Sequence, residues 1–177
     1  LYTGDLGYMT KEGLLYVKGR FKSLLISSDG EKYSPEGIEE SLVEKSKYID
    51  QVMLYNNQSA YTTALIVPNR EALKRKLSHL NFTLDTEEGR KAAVKKLEEE
   101  LAKYKKGGEF EGMFPERWLP TAFAVLAEPF TEQNQMINST MKMVRGKIEK
   151  AYATRIDYMY TAEGKQPQNQ QNIDALK

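Results

Sequence analysis

The chain contains no cysteine and only one histidine among its 177 residues. The first absence excludes disulfide bonds and thiolate chemistry, and the two together disfavour a structural zinc site. A chain without cysteine is also compatible with a reducing compartment, so we expect a cytoplasmic protein.

An excess of charge of one sign is absent as well. Lysine and arginine total 26 and aspartate and glutamate total 25, which gives a net charge of +1. No global field would therefore recruit nucleic acid, and any anion must be held by a local arrangement of residues. We expect no nucleic-acid partner.

Long apolar runs are the third absence, since no stretch approaches the roughly 18 residues that a membrane-spanning helix needs. The 40% hydrophobic and 29% charged residues are typical of a globular protein with a core. The length suffices for one domain and an appendage. Leu1 is not a start methionine and no signal-peptide pattern follows it, so we expect the chain to begin inside a longer protein.

Strand and helix patterns occur without regular alternation, which indicates an α+β fold. We expect a small mixed sheet flanked by helices and preceded by a β-hairpin. The hairpin would turn at residues 10–13, where a glycine allows positive φ. Other apolar runs predict strands, and 3.6-residue periodicity predicts helices. The predicted strands are 24–26, 49–54, 61–67 and 121–127, with a turn at 56–59, and the main predicted helices are 71–80, 85–104 and 142–158.

Helix starts and the C-terminus carry further signals. Ser34 is a suitable N-cap with Pro35 at the first helical position. Asp85 followed by Glu88 resembles a capping box. Residues 161–177 contain few apolar side chains, so we expect a disordered tail.

Two short motifs near the N-terminus are suited to nucleotide binding. Residues 3–5 form a Thr-Gly-Asp turn, and the carboxylate of Asp5 can accept two hydrogen bonds from the hydroxyls of a ribose. Residues 19–22 read Gly-Arg-Phe-Lys, and Arg20 offers a planar fork of donors to phosphate or ribose oxygens. Each motif alone is more often an ordinary surface turn.

The order of these motifs is more specific than either one alone. A hairpin separates the Thr-Gly-Asp turn from the basic turn, and an apolar strand, a glycine turn at Gly30 and a helix at Ser34-Pro35 follow. This composite pattern resembles the junction between the two domains of adenylate-forming enzymes, the superfamily of acyl-CoA ligases, luciferases and peptide-synthetase adenylation domains. The resemblance implies a junction hairpin at residues 1–20, a mobile C-terminal domain at 21–160 and a helical insert at about 77–120.

A second stretch, residues 138–145, reads Asn-Ser-Thr-Met-Lys-Met-Val-Arg. It resembles the end of long-chain fatty-acid–CoA ligases, where a lysine follows a Thr-containing turn and an arginine stands three residues later. The resemblance identifies Lys142 as the mobile catalytic lysine, whereas composition alone makes it a solvated lysine at a helix start. The departures from the family pattern are Lys22 for a common aspartate, Gly37 for a common glutamate, and Asn138-Ser139 for the usual leucine, threonine and proline.

The resemblance implies a two-step reaction of a fatty acid, ATP with Mg²⁺, and coenzyme A. Asp5 would hold the ribose hydroxyls with Arg20 beside it, and Lys142 would bridge the carboxylate and the α-phosphate. The domain would then turn about Lys22 and present the glycine loop around Gly30 to the pantetheine arm of coenzyme A. The adenine pocket and phosphate loop would lie in the N-terminal domain, and we expect no metal ligand in this chain. For the full-length enzyme we also consider peripheral membrane association.

The residues leave a second class of function open. A small α+β binding or interaction module could use the hairpin and the basic turn to hold a partner without any chemistry. A phosphate loop rich in Ser, Thr and Gly in the sequence upstream of Leu1 would favour the ligase.

Overall fold

The computed structural model describes residues 5–20 and 23–177. An antiparallel hairpin comes first, with strands β1 (Asp5–Met9) and β2 (Leu15–Arg20). Its turn closes where Gly13 N donates to Thr10 O at 3.0 Å, and Gly13 has a φ of +86°, which a side chain would oppose. The glycine turn predicted at residues 10–13 is confirmed.

A second, three-stranded sheet follows, in the order β4-β3-β6. It contains β3 (Leu25–Ser27), β4 (Lys32–Tyr33) and β6 (Asn57–Ser59). Strand β3 runs antiparallel to β4 and parallel to β6. The prediction of a plain turn at residues 56–59 is therefore wrong in part, because these residues pair with β3.

The main sheet is mixed and has the order β5-β7-β8. Strands β5 (Ile49–Tyr55) and β7 (Thr63–Pro68) are antiparallel, whereas β7 and β8 (Ala122–Val125) are parallel. All residues of β7 and β8 are buried. Because side chains alternate between the faces of a sheet, neighbours such as Leu65 and Ile66 belong to two different hydrophobic clusters.

Helices cover both faces of the main sheet. The longer ones are α1 (Glu36–Lys45), α2 (Arg70–Ser78) and α3 (Glu87–Ala102). Three short helices follow a 3₁₀ turn at Glu116–Trp118, namely α4 (Arg145–Ala151), α5 (Ala153–Met159) and α6 (Gln170–Asp174). The α+β class is confirmed. Within residues 5–20 and 23–177, no helix combines the length and the apolar character that crossing a membrane requires.

Both predicted helix caps differ from the observed ones. Pro35 itself is the N-cap of α1, and no side chain caps that helix. Thr86, rather than Asp85, is the N-cap of α3, and its hydroxyl accepts a hydrogen bond from Gly89 N at 3.1 Å. Both changes shift a helix start by one residue, which a cap pattern alone cannot resolve.

The predicted helix 142–158 is two shorter helices that begin at Arg145 and are interrupted at Tyr152. The backbone of Tyr152 leaves the helical region, with φ −108° and ψ 19°, and its ring packs edge-on against Phe130. Lys142 therefore lies before the helix rather than at its start.

The prediction that residues 161–177 are disordered is wrong. Ile173 and Leu176 are each 1% exposed and join the core beneath α3. The buried amide of Asn172 pairs with β8, since Val125 N donates to its Oδ1 at 2.9 Å and its Nδ2 donates to Phe123 O at 3.1 Å. A segment with few apolar residues is ordered here because its buried amides are satisfied.

Candidate functional site

Lys142 stands on a tight turn, which we call the Lys142 turn (residues 137–143). Ile137 and Met143 form an antiparallel bridge at its base. Asn138 Oδ1 accepts hydrogen bonds from Thr140 N at 3.0 Å, Thr140 Oγ1 at 2.8 Å and Lys142 N at 2.9 Å. The side chain of Asn138 thus satisfies two backbone donors of the turn, Thr140 N and Lys142 N, in the way that Asn side chains compete with helix formation.

The side chain of Lys142 is exposed. Its ammonium group forms no ion pair or hydrogen bond with any other residue that the structure describes, although its backbone is held on both sides. A rigid backbone that carries an unpaired cation is suited to meeting an anion from outside the chain.

A buried ion pair anchors the Lys142 turn from behind. Arg145 Nη1 donates to Glu39 Oε1 at 2.9 Å and Oε2 at 3.0 Å, and Arg145 Nη2 donates to Leu54 O. Leu54 N in turn donates to Glu39 Oε1 at 2.6 Å. This cluster, the buried fork, links α1, β5 and α4.

Burial dominates the electrostatics of the buried fork. The two side chains are 14% (Arg145) and 5% (Glu39) exposed. Loss of solvation raises the pKa of Glu39 above its ordinary value of 4.5, although Arg145 and the Leu54 amide favour the charged form. Sequence reasoning noticed Arg145 but missed Glu39, which lies 106 residues away.

An open groove of about 920 Å³ lies between α1 and the Lys142 turn. Met141, Lys142 and Met143 belong to its lining, and the rest combines apolar side chains such as Val43 and Val52 with Arg145 and five carboxylates: Glu36, Glu39, Glu40, Glu44 and Asp50. Such a lining repels the phosphates of a nucleotide. The excess of carboxylates in the groove therefore disfavours a phosphate on that side of Lys142.

The hairpin brings two other predicted site residues together. Asp5 lies directly opposite Arg20 in the register of β1 and β2, and Asp5 is exposed. The backbones of these two residues are therefore adjacent across the hairpin. Lys22, the predicted pivot, lies outside the described residues, as do Thr3 and Gly4.

Gly30 occupies a tight connection between β3 and β4, which we call the Gly30 loop (Ser27–Glu31). Gly30 N donates to Ser27 O at 2.9 Å, and Ser27 N donates to Glu31 O at 3.0 Å. Gly30 has a φ of +84°, and an added Cβ would meet no atom within 4 Å. Glycine is required here by backbone conformation, and its surroundings are open to an approaching ligand.

The other end of the Gly30 loop contacts the segment that the sequence identifies as an insert. Arg117 donates from Nε and Nη2 to the two carboxylate oxygens of Glu31, each at 2.6 Å. The pairing lowers the pKa of Glu31, to which the indole of Trp118 also contributes. We call this cluster the exposed fork; sequence reasoning missed it, because its partners are 86 residues apart.

No group of three or more His, Cys, Asp or Glu side chains within residues 5–20 and 23–177 is arranged to hold a metal ion. Charged groups converge at the two forks and along the groove. For ligand binding, the described residues thus provide isolated cationic side chains and exposed backbone turns rather than a closed pocket.

The comparisons with known proteins agree with the resemblance. A family described as "AMP-binding enzyme C-terminal domain" matches residues 22–106. Long chain acyl-CoA synthetase 8 of Arabidopsis thaliana is 29% identical over 165 residues, which cover 90% of this chain and 22% of that protein. Fatty acyl-CoA synthetase B of Dictyostelium discoideum is 28% identical, over 90% of this chain and 24% of that protein. The chain thus spans about a quarter or less of the length of these relatives.

A solved structure shares the fold. The adenylation domain of a carboxylate reductase from Mycobacterium chelonae superposes with a TM-score of 0.71 at 24% identity. The match covers 89% of this chain and 22% of that one. The resemblance to the C-terminal domains of adenylate-forming enzymes is confirmed by these findings together.

Proposed function

We propose that this chain, a C-terminal domain of the AMP-binding type, works as the C-terminal part of an ATP-dependent long-chain fatty-acid–CoA ligase. Its relatives named as acyl-CoA synthetases support the reaction class. In the first step a fatty-acid carboxylate attacks the α-phosphate of ATP and releases pyrophosphate. In the second step the thiol of coenzyme A attacks the acyl-adenylate and releases AMP.

Lys142 acts in the first step. The attacking carboxylate and the α-phosphate are both negative, so they repel each other as they approach. A cation placed between them stabilises the charge that develops in the transition state. The observation that carries this role is the exposed, unpaired ammonium group on a turn whose backbone is held rigidly.

The rest of the site must come from another domain. The groove beside Lys142 is acidic, so the nucleotide would meet Lys142 on the outward side of its turn. The hairpin also has an apolar surface suited to a partner, since Met9, Leu15 and Val17 are 66%, 65% and 64% exposed. We assign that partner as the enzyme's own N-terminal domain, which would hold most of the ATP and its Mg²⁺.

Asp5 and Arg20 complete the nucleotide contacts. An Asp carboxylate can accept both hydroxyls of a ribose, and Arg20 stands across the hairpin from it. After adenylation the domain would turn about Lys22, withdraw Lys142 and bring the Gly30 loop to the pantetheine arm. Such reuse of one pocket by two surfaces is a gating motion. A cytoplasmic location and peripheral membrane association stay predictions.

The test is the Lys142→Ala variant of the full-length enzyme. ATP–pyrophosphate exchange, measured with carboxylic acids of graded length, should fall by roughly 10²- to 10³-fold, as expected when an oriented cation is lost from a closed site. Thioester formation from supplied acyl-adenylate should stay near the wild-type rate. Lys150→Ala, which removes an exposed lysine from α4, is the matched control.

Three results would argue against the proposal. Equal loss of both half-reactions in Lys142→Ala would contradict a role in the first step alone. If the wild-type enzyme shows no pyrophosphate exchange with any acid, the ligase proposal is rejected and the interaction module is favoured. Acyl-CoA synthesis by the isolated chain of 177 residues would contradict the need for a second domain.

A further inference from the structure

The exposed fork concentrates three contacts on one carboxylate beside Gly30. Besides the two bonds from Arg117, Trp118 Nε1 donates to Glu31 Oε2 at 3.1 Å. Every one of these donors comes from the 3₁₀ turn Glu116–Trp118. A segment distant in sequence therefore holds the last residue of the Gly30 loop.

Aromatic stacking connects the same fork to the core. The Trp118 ring stacks on Tyr33, with centroids 5.2 Å apart and planes within 6° of parallel. Tyr33 is 2% exposed, and its hydroxyl is hydrogen-bonded to Thr62 and accepts from Asn56 Nδ2 at 3.3 Å. The guanidinium of Arg117 also lies 5.6 Å from the indole centroid. The 3₁₀ turn is thus packed on the core through Trp118 and Tyr33, and it is hydrogen-bonded to Glu31.

The other end of the Gly30 loop is braced by its own side chains. Asp29 Oδ1 accepts from Ser27 Oγ and from Glu31 N at 3.2 Å. The loop is therefore restrained at Ser27, at Asp29 and at Glu31, with Gly30 between the last two. Only Gly30 presents bare backbone at this point, in open surroundings.

We propose that Arg117 and Trp118 are positioning residues for thioester formation, because they hold Glu31 and thereby the backbone of Gly30 where the pantetheine arm passes. This inference rests on the proposed role of the Gly30 loop. Arg117 is 61% exposed, and ion pairs at such sites contribute little to folding. Fixing the long side chain of Arg117 costs conformational entropy, and alignment of the Gly30 loop explains this ordering better than a gain in folding stability does.

The two half-reactions then depend on different arginines. Lys142 is backed by Arg145 and Glu39, and the Gly30 loop by Arg117 and Trp118. The two sets share no residue. Disturbing the exposed fork should therefore affect the second step and spare the first.

The experiment compares Glu31→Gln and Arg117→Gln in the full-length enzyme. We expect thioester formation from supplied acyl-adenylate at saturating coenzyme A to fall about 10- to 100-fold, as a small misplacement can cause. Pyrophosphate exchange should stay within about twofold, because the Lys142 turn is not touched. Arg117→Lys, which keeps the charge without the fork, should recover part of the rate.

Lys91→Gln is the matched control. It breaks an ion pair with Glu87 on α3, at 2.6 Å and comparably exposed, that does not touch the Gly30 loop. This variant should behave as wild type in both half-reactions. A loss equal to that of Arg117→Gln would assign the effect to surface charge and overturn the inference.

Trp118 supplies an independent readout in the isolated 177-residue chain, where it is the single tryptophan. Its fluorescence should change in Glu31→Gln and Arg117→Gln, which reports that the fork has opened. Changed fluorescence with an unchanged second step, or equal loss of both steps, would overturn the positioning role. A normal rate of thioester formation in Glu31→Gln together with a reduced rate in Arg117→Gln would also overturn it. Arg117 would then act on coenzyme A directly rather than through Glu31. Failure of both steps in the wild type would instead reject the proposed function itself.

Discussion

The two forks have the same chemistry and opposite surroundings. In each, an arginine donates two hydrogen bonds to one glutamate, Arg145 to Glu39 and Arg117 to Glu31. Burial raises the pKa of Glu39, whereas Arg117 lowers the pKa of Glu31. In these two forks, which share the same pairing, burial of Glu39 accounts for the opposite direction of its pKa shift.

The difference in burial also indicates different roles for the two forks. The buried fork joins α1, β5 and α4, so it contributes to the fold that carries Lys142. The exposed fork joins a surface loop to a 3₁₀ turn, so it can align Gly30 without determining the fold. We expect variants of the first to change stability and variants of the second to change one reaction step.

Lys22→Pro should give the largest effect on this comparison, because it tests whether the two surfaces are used in turn. If Lys22 is the pivot, its φ and ψ must change between states, and proline fixes φ near −65° and restricts the preceding residue. One half-reaction should survive in the full-length enzyme, and the other should fall by orders of magnitude. Both half-reactions and the melting temperature are to be measured.

Lys22→Ala is the control for that variant and should be mild, because a pivot needs backbone freedom rather than an ammonium group. A proline variant with an intact overall rate would rule out the pivot. Loss of stability without separation of the two steps would make Lys22 an ordinary surface residue.

Arg145→Met should give the next largest effect, now on stability. Removing one partner of a buried pair leaves an uncompensated charge and typically costs about 3–5 kcal/mol. Here Glu39 would keep the Leu54 amide but lose its cationic partner, and the carbonyl of Leu54 would lose the Arg145 donor. Urea unfolding of the 177-residue chain should show a much lower midpoint, whereas Arg117→Met should lower it far less, because that pair is exposed.

The double variant Glu39→Gln/Arg145→Met sharpens this test. It removes both charges, so its loss of stability should be smaller than the sum of the two single losses. Additive losses would show that the two side chains act independently, contrary to the geometry of the buried fork.

The sequence predicted the parts of this fold that depend on neighbouring residues. Apolar runs such as 61–67 identified the buried strands, and Gly13 identified a turn. The predicted helix 142–158 begins three residues too early, because the pattern does not reveal that Asn138 would accept the backbone N–H of Lys142. The tail was missed because a composition rule cannot recognise that Asn172 finds partners on β8.

The candidate site divides in the same way. Lys142, Gly30 and the facing pair Asp5 and Arg20 lie in short motifs with a recognisable spacing. Glu39 and Arg117 matter through partners more than 80 residues away, so only folding brings them to the site. The spacing of residues within a motif predicts which chemical groups a site uses. It does not predict which residues pair over long distances along the chain.

The pH dependence of the two glutamates should give the smallest effect and the most direct test of the comparison. Glu39 has a pKa above 4.5 in the folded chain, so the folded state binds its proton more tightly than the unfolded state. Its contribution to stability is thus present below pH 4.5 and is lost as pH rises through the raised pKa. Glu31 has a lowered pKa, so its contribution is present above pH 4.5 and is lost as pH falls through the lowered value.

Urea unfolding from pH 3.5 to 7 measures the free energy of unfolding of wild type, Glu39→Gln and Glu31→Gln. The difference between wild type and Glu39→Gln should change with pH in the opposite direction to the difference between wild type and Glu31→Gln. The fluorescence of Trp118 should follow the Glu31 transition and lose it in Glu31→Gln. Equal slopes for the two variants would mean that burial does not distinguish the forks, and the comparison would fail.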